Sequence, residues 1–232
     1  EQHQLQEVRV SERPPQPLAL RVAATVISYI FHPVFVPVYI MLFLLYVHPY
    51  MFGDFTSRSK ALVLGQAFVS MTFFPLVSVL LMKGLGFVRS VRLETQRDRI
   101  IPIIACMTWY FWLAYVWKNM GKTNDTVPMP KELVYLASAM FITTVIGLMA
   151  NIRMKVSLHA IAAGLMVTFL FQLALTQELN FGLYLTAGIL VAGLICSARL
   201  IVSDHTQQEL YAGLIIGIVS MLAAPPLINM LG

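Results

Sequence analysis

The chain has 232 residues, of which 58% are hydrophobic and only 12% charged, and it carries a formal net charge of +5. A mean hydropathy of +0.75 excludes an ordinary water-soluble domain and makes this an all-α, polytopic membrane bundle of six to seven transmembrane helices. The basic balance then belongs to loops that flank membrane helices and meet lipid headgroups, with no nucleic acid as partner.

Residues 1–17 are polar and end in ERPPQP, a Pro-rich surface segment or tether, and residues 18–232 read as a single transmembrane domain. The first residue is Glu1, with neither methionine nor a positive-then-apolar leader before it, which points to a trimmed or processed end. The first apolar run, Leu18 to Val47, is long enough to span the bilayer even when bent by Pro33 and Pro37. His32 within it reads as a buried, hydrogen-bonded histidine at the kink and not as a catalytic group. His48 and Tyr50 fall where the run meets the interface. A second run, Ala61 to about Val88, is kinked at Pro75.

The most basic stretch follows, VRSVRLETQRDRIIP. As a default it is a solvated patch beside the membrane, but Arg92 and Arg99 are two helical turns apart, so on one helix they form a stripe about 10 Å long and converge on one anion. The third run, Ile101 to Trp117, carries three tryptophans: Trp117 reads as an interfacial anchor, Trp109 and Trp112 as packing. A fourth run spans Leu133 to Ala150. In NIRMKVSLHAIAAG, Ser157 can cap a helix whose second residue is His159, which opens a fifth run ending near Thr176. The sixth extends from about Phe181 to Ile201 and the seventh from Glu209 to Leu231, with Pro225 and Pro226 near its end. Cys106 and Cys196 lie inside apolar runs as small packing residues.

Between the last two runs lies SARLIVSDHTQQELYAGLIIG, Ser197 to Gly217. On a helix starting near Asp204, Glu209 shares a face with His205 and can receive the imidazole's Nδ1 proton, leaving Nε2 as a nucleophile. Asp204 with Gln207 reads as an N-cap and its capping-box partner, which puts His205 in the first turn, where an anion is favoured. Arg199, about 1.7 turns earlier, closes the preceding helix and points in from the other side. Arginine, neutral histidine and a helix start together describe a phosphate site. Counting crossings, the basic stretch, the Ser157/His159 segment and the Arg199/His205 segment all open on one side of the membrane.

Taken in order, Arg92-x6-Arg99, Ser157-x-His159 and Arg199-x5-His205-x3-Glu209 resemble the three-part signature of the type-2 phosphatidic acid phosphatase superfamily, which also includes the vanadium haloperoxidases. Ala212, Gly213 and Gly217 extend the likeness into the family's small-residue helix. The resemblance implies an integral membrane phosphatase that needs no metal or other cofactor and takes a lipid phosphate or diphosphate as substrate. His205 would attack phosphorus and become a phosphohistidine, with Glu209 in the place of the usual aspartate that orients it. Arg92, Arg99, Arg199 and the Ser157 hydroxyl would bind phosphate oxygens, and His159 would protonate the leaving group and then activate water. The sequence departs from the family pattern at Arg92, where lysine is usual, at Val156 and Leu158, which replace proline and glycine, and at Ala198, which replaces serine.

Two alternatives use the same arginines: a lipid phosphotransferase, and a catalytically degenerate protein that binds or handles lipid phosphates. An unrelated channel or transporter would require the spacings to be accidental. The motif-bearing face with its flank and the N-terminal tail holds eleven of the sixteen Lys and Arg residues. The positive-inside rule places that face at the cytoplasm. Bacterial members of the resembled family more often work on the outer face of the cell membrane, and the resemblance is given slightly the greater weight.

Overall fold

The structure, a computed structural model, describes residues 16–48, 50–90, 93, 95–122, 128–176, 180–202 and 205–231. Among them the fold is entirely helical: α1 Leu18–Ile30, α2 Val36–Val47, α3 Ser57–Gly84, α4 Gln96–Asn119, α5 Lys131–Arg153, α6 Leu158–Thr176, α7 Gly182–Val202 and α8 Gln207–Met230. The last six are long and apolar enough to cross a membrane. The chain is a multi-pass membrane protein.

The first apolar run is not one bent crossing. The rings of Pro33 and Pro37 cannot continue a helical ladder, and the chain breaks between Ile30 and Val36 into two short helices. Inside a bilayer the carbonyls freed by such a break need donors. The Tyr39 hydroxyl donates to Ile30 O at 2.7 Å and the Thr72 hydroxyl to Val34 O at 2.7 Å. Prolines deeper in the bundle follow the same rule. Pro75 leaves Met71 O without its helical donor, beside a π-helical turn at Val69–Phe73, and the Tyr110 hydroxyl reaches that carbonyl at 3.4 Å. Pro225 frees Met221 O, which accepts from Gln172 Nε2 at 3.2 Å.

Helices α5, α6 and α8 form the centre, with α4 packed outside α5, α7 outside α6, and α1 lying along α7. The closest crossing is α6 against α8, where glycine lets the two backbones touch. A Cβ on Gly213 would sit 2.7 Å from Ser157 O, and one on Gly217 would collide with Ile161 O. The large apolar side chains of α4, α5 and α6, among them Leu113, Leu133, Leu136 and Phe169, fill the core. Trp117 belongs to that core and is fully buried, so it is not the interfacial anchor its position in sequence implies; Trp112 is the exposed tryptophan, and Trp109 stacks on Phe74. His48 is likewise buried, where an interfacial position was expected, while Tyr50 is exposed.

Candidate functional site

At one end of the bundle the C-termini of α5 and α7 meet the N-termini of α4, α6 and α8. Each start is fixed locally. Thr95 caps α4, accepting from Asp98 N at 3.1 Å, and Leu93 just before it turns the chain with φ of +50°. Ser157 caps α6, its hydroxyl oxygen accepting from Ala160 N and its carbonyl from Ile161 N. At α8 the cap is Thr206 and its box partner Glu209. This corrects the expected pairing of Asp204 with Gln207: Asp204 lies outside the described residues, α8 begins at Gln207, and His205 stands just ahead of the cap instead of in the first helical turn.

The correction gives Glu209 two tasks. Its Oε2 accepts from the backbone N–H of Thr206 at 3.0 Å and lies 3.3 Å from His205 Nδ1. Both side chains are buried, with the histidine 3% exposed. A carboxylate only accepts, so the neutral imidazole carries its hydrogen on Nδ1 and its lone pair on Nε2. Burial pushes the His205 pKa below its ordinary value; the Glu209 hydrogen bond raises it, and the charges of Arg99 and Arg199 lower it further. The net direction is down, so the ring is neutral at neutral pH.

Arg99 is the charge that ties the segments together. Its Nη1 donates to Val156 O at 2.8 Å and its Nε to Leu93 O at 2.9 Å, so it spans from the α4 approach to the α5–α6 connection. Guanidinium has five N–H donors, and these two bonds engage two of them. Gln96 and Asn151 brace the same junction by exchanging side chain-to-backbone bonds of 2.7 and 2.8 Å. Ser157 N donates to Glu209 O at 3.2 Å, joining the starts of α6 and α8. Arg199, in the last turn of α7, lies within electrostatic reach of Arg99, His159, His205 and His32.

Six of the seven residues singled out in the sequence are therefore assembled at one end: Arg99, Ser157, His159, Arg199, His205 and Glu209. Arg92 lies outside the described residues; the helix that carries Arg99, α4, starts at Gln96. Two further residues join from α1 and the break after it. His159 Nε2 is 3.0 Å from Ser28 O, and the His32 ring stands edge-on to His159 with centroids 5.4 Å apart. His32 had read as a buried, hydrogen-bonded histidine at the kink and not as a catalytic group; its Nδ1 accepts from Val34 N at 3.5 Å, and the ring also borders the site. The signal in the sequence was the Pro33/Pro37 pair, because a helix broken inside a bilayer is tolerated where it is buried in protein or lines a polar cavity. Among the described residues no group of three or more His, Cys, Asp or Glu side chains is arranged to hold a metal.

No protein-family model, curated protein or solved structure matches the chain. The site must be read from its own chemistry.

Proposed function

We propose that the protein is an integral membrane phosphatase that removes phosphate from a lipid phosphomonoester or diphosphate through a phosphohistidine on His205. The observation that carries this reading is the His205–Glu209 pair, a buried imidazole whose Nδ1 is held by a carboxylate, which leaves the lone pair on Nε2, within electrostatic reach of Arg99 and Arg199. Two guanidinium groups beside one carboxylate and a neutral histidine make a positively charged site, and such a site is suited to an anionic ligand.

In the first step His205 Nε2 attacks phosphorus, the P–N bond forms, and the P–O bond to the lipid breaks. Glu209 stabilises the positive charge that develops on the ring. Arg99 and Arg199 offset the charge on the equatorial oxygens, which accumulates most in the transition state. His159 donates a proton to the leaving oxygen, then takes one from water as that water attacks phosphorus and releases His205. A site at helix ends, bordered by lipid-facing apolar surface, suits a substrate with an anionic head and a hydrocarbon tail.

The test is phosphate release by the purified protein in detergent, with EDTA present, across a panel of lipid phosphates and diphosphates. Turnover in wild type and its loss in His205→Ala is the expected result. Lipid binding by both proteins with turnover by neither would replace the phosphatase with a binding protein.

A further inference from the structure

We propose that α1, which lies outside the motif-bearing part of the chain, completes the site: Ser28 O fixes which nitrogen of His159 transfers protons. The inference rests on the reading of His159 as the acid–base group. Its physical content stands on geometry alone.

A backbone carbonyl accepts hydrogen bonds and never donates. With Nε2 3.0 Å from Ser28 O, His159 must carry a hydrogen on Nε2, and in the neutral ring its lone pair is on Nδ1. His205 is held the other way round, hydrogen on Nδ1 and lone pair on Nε2. The two imidazoles are thus fixed as opposite tautomers, one by the side chain of α8 and one by the backbone of α1. The His32 ring, edge-on at 5.4 Å, limits rotation of His159 away from that carbonyl. Proton transfer then runs through Nδ1 of His159. Nδ1, neutral in the free protein, takes the proton of the bound phosphate monoanion and gives it to the leaving oxygen as the His205 Nε2–P bond forms and the lipid P–O bond breaks. Neutral Nδ1 takes a proton from water as the water oxygen bonds to phosphorus and the Nε2–P bond breaks. The Nε2–H of His159 stays on Ser28 O throughout.

Ser28 has a second polar atom at this place. Thr25, Ser138, Thr143, Thr168 and Thr186 all return their hydroxyls to the carbonyl four residues back. Ser28 Oγ does not; it is buried without a hydrogen-bond partner among the described residues, as is Ser220 Oγ in α8. Ser28 is only 8% exposed, and its link to the site is the backbone carbonyl that accepts from His159. Of α1, only Ala24 and Ser28 are buried, so the helix that sets the His159 tautomer is lightly embedded.

The experiment is nitrogen-15 NMR of the full chain with labelled histidine in detergent, His159 and His205 being assigned by loss of their signals in His159→Gln and His205→Gln. The expected result is opposite neutral tautomers. Hydrogen on Nδ1 of His159, or averaging between the two forms, overturns the proposal. Ala24→Leu, which lifts α1 from α7, is expected to let His159 average between tautomers and to lower turnover about tenfold at unchanged KM; an unaltered His159 signal in a folded variant counts against α1 as its holder. Ser28→Ala, which keeps the carbonyl, is expected to leave the His159 tautomer unchanged, and a changed tautomer in a folded variant counts against the carbonyl as its holder. Opposite tautomers in a protein with no turnover on any lipid would sink the phosphatase reading and leave the α1–His159 geometry standing.

Discussion

At one end of the bundle His205 turns Nδ1 toward a carboxylate; at the other, His48 turns Nδ1 toward the backbone N–H groups of Tyr50 and Met51, at 3.3 and 3.1 Å. Both rings are buried, and burial lowers the pKa of both. Their chemistry is nonetheless opposite. His48 accepts at Nδ1, so its hydrogen is on Nε2, turned into a setting of Phe43 and Phe181, and the ring serves as a cap for a loop. His205 donates at Nδ1 and keeps a lone pair on Nε2. The surroundings differ in the same sense: the His205 end buries Arg99, Gln96, Asn151, Ser157 and Glu209, whereas the His48 end is closed by exposed bonds such as Lys118 Nζ to Leu231 O and Tyr135 Oη to Asn229 Oδ1. Burial of a histidine does not mark a site; the partner that decides its lone pair does.

The widest separation of the two ends comes from paired variants. His205→Ala is expected to cut turnover on the order of 10⁴-fold or more, with the folded protein retained. His48→Ala is expected to leave turnover within about twofold and to cost about 1–2 kcal/mol of stability, as two backbone N–H groups lose their acceptor. Phosphate release and thermal unfolding of the purified proteins read both numbers, and equal losses of turnover would erase the distinction between the ends.

Glu209→Gln sharpens the same contrast through pH. Turnover should fall about 10³-fold, the scale for a buried carboxylate that fixes a catalytic tautomer. In the wild type the His205 pKa lies below its ordinary 6.5, so the ring stays neutral to below that pH and the acid limb of the rate profile falls there. Stability follows the same group. It is fully present above pH 6.5 and declines as pH drops through 6.5, where the unfolded chain takes up a proton that the folded chain does not. Glu209 raises this pKa by its hydrogen bond and its charge, so the variant's residual activity should have an acid limb moved to lower pH. A limb above 6.5 in the wild type would remove His205 as the titrating nucleophile.

Smaller effects bear on the scaffold. Gly217→Ala sets a methyl against Ile161 O and should cost about 1–3 kcal/mol, with turnover falling because Ser157 and Glu209 are displaced from one another. The smallest change is at the far end, where Tyr135→Phe, losing its bond to Asn229, should cost less than about 1 kcal/mol and leave the rate unchanged.

Much of this was legible in the sequence because the physics was local or periodic. Apolar runs gave the six long helices to within a few residues, and the four-residue step from His205 to Glu209 gave their pairing. The parity of the runs put three polar segments on one side, and the structure brings the described parts of all three together. What was not legible depends on tertiary placement. Thr206 and Asp204 are both good caps by composition, and the helix takes Thr206, with Glu209 as its box partner. A seven-residue arginine spacing is periodic only if a helix contains it, and the cap that starts α4 at Thr95 is set by tertiary context that the spacing does not carry. Ser28 acts through a backbone carbonyl, which no side-chain pattern can announce.

The prolines of α3 and α8 have a further consequence, for biogenesis. Each leaves a carbonyl that its own helix cannot satisfy, and lipid offers it no donor. Met71 O waits for Tyr110 of α4, which is synthesised later; Met221 O meets Gln172 of α6, which is already in place. Threading α3 into the bilayer therefore leaves it chemically unfinished until the next hairpin docks, whereas α8, the last to emerge, finds its donor waiting. The order in which the ribosome delivers the helices is written into which neighbour completes each one.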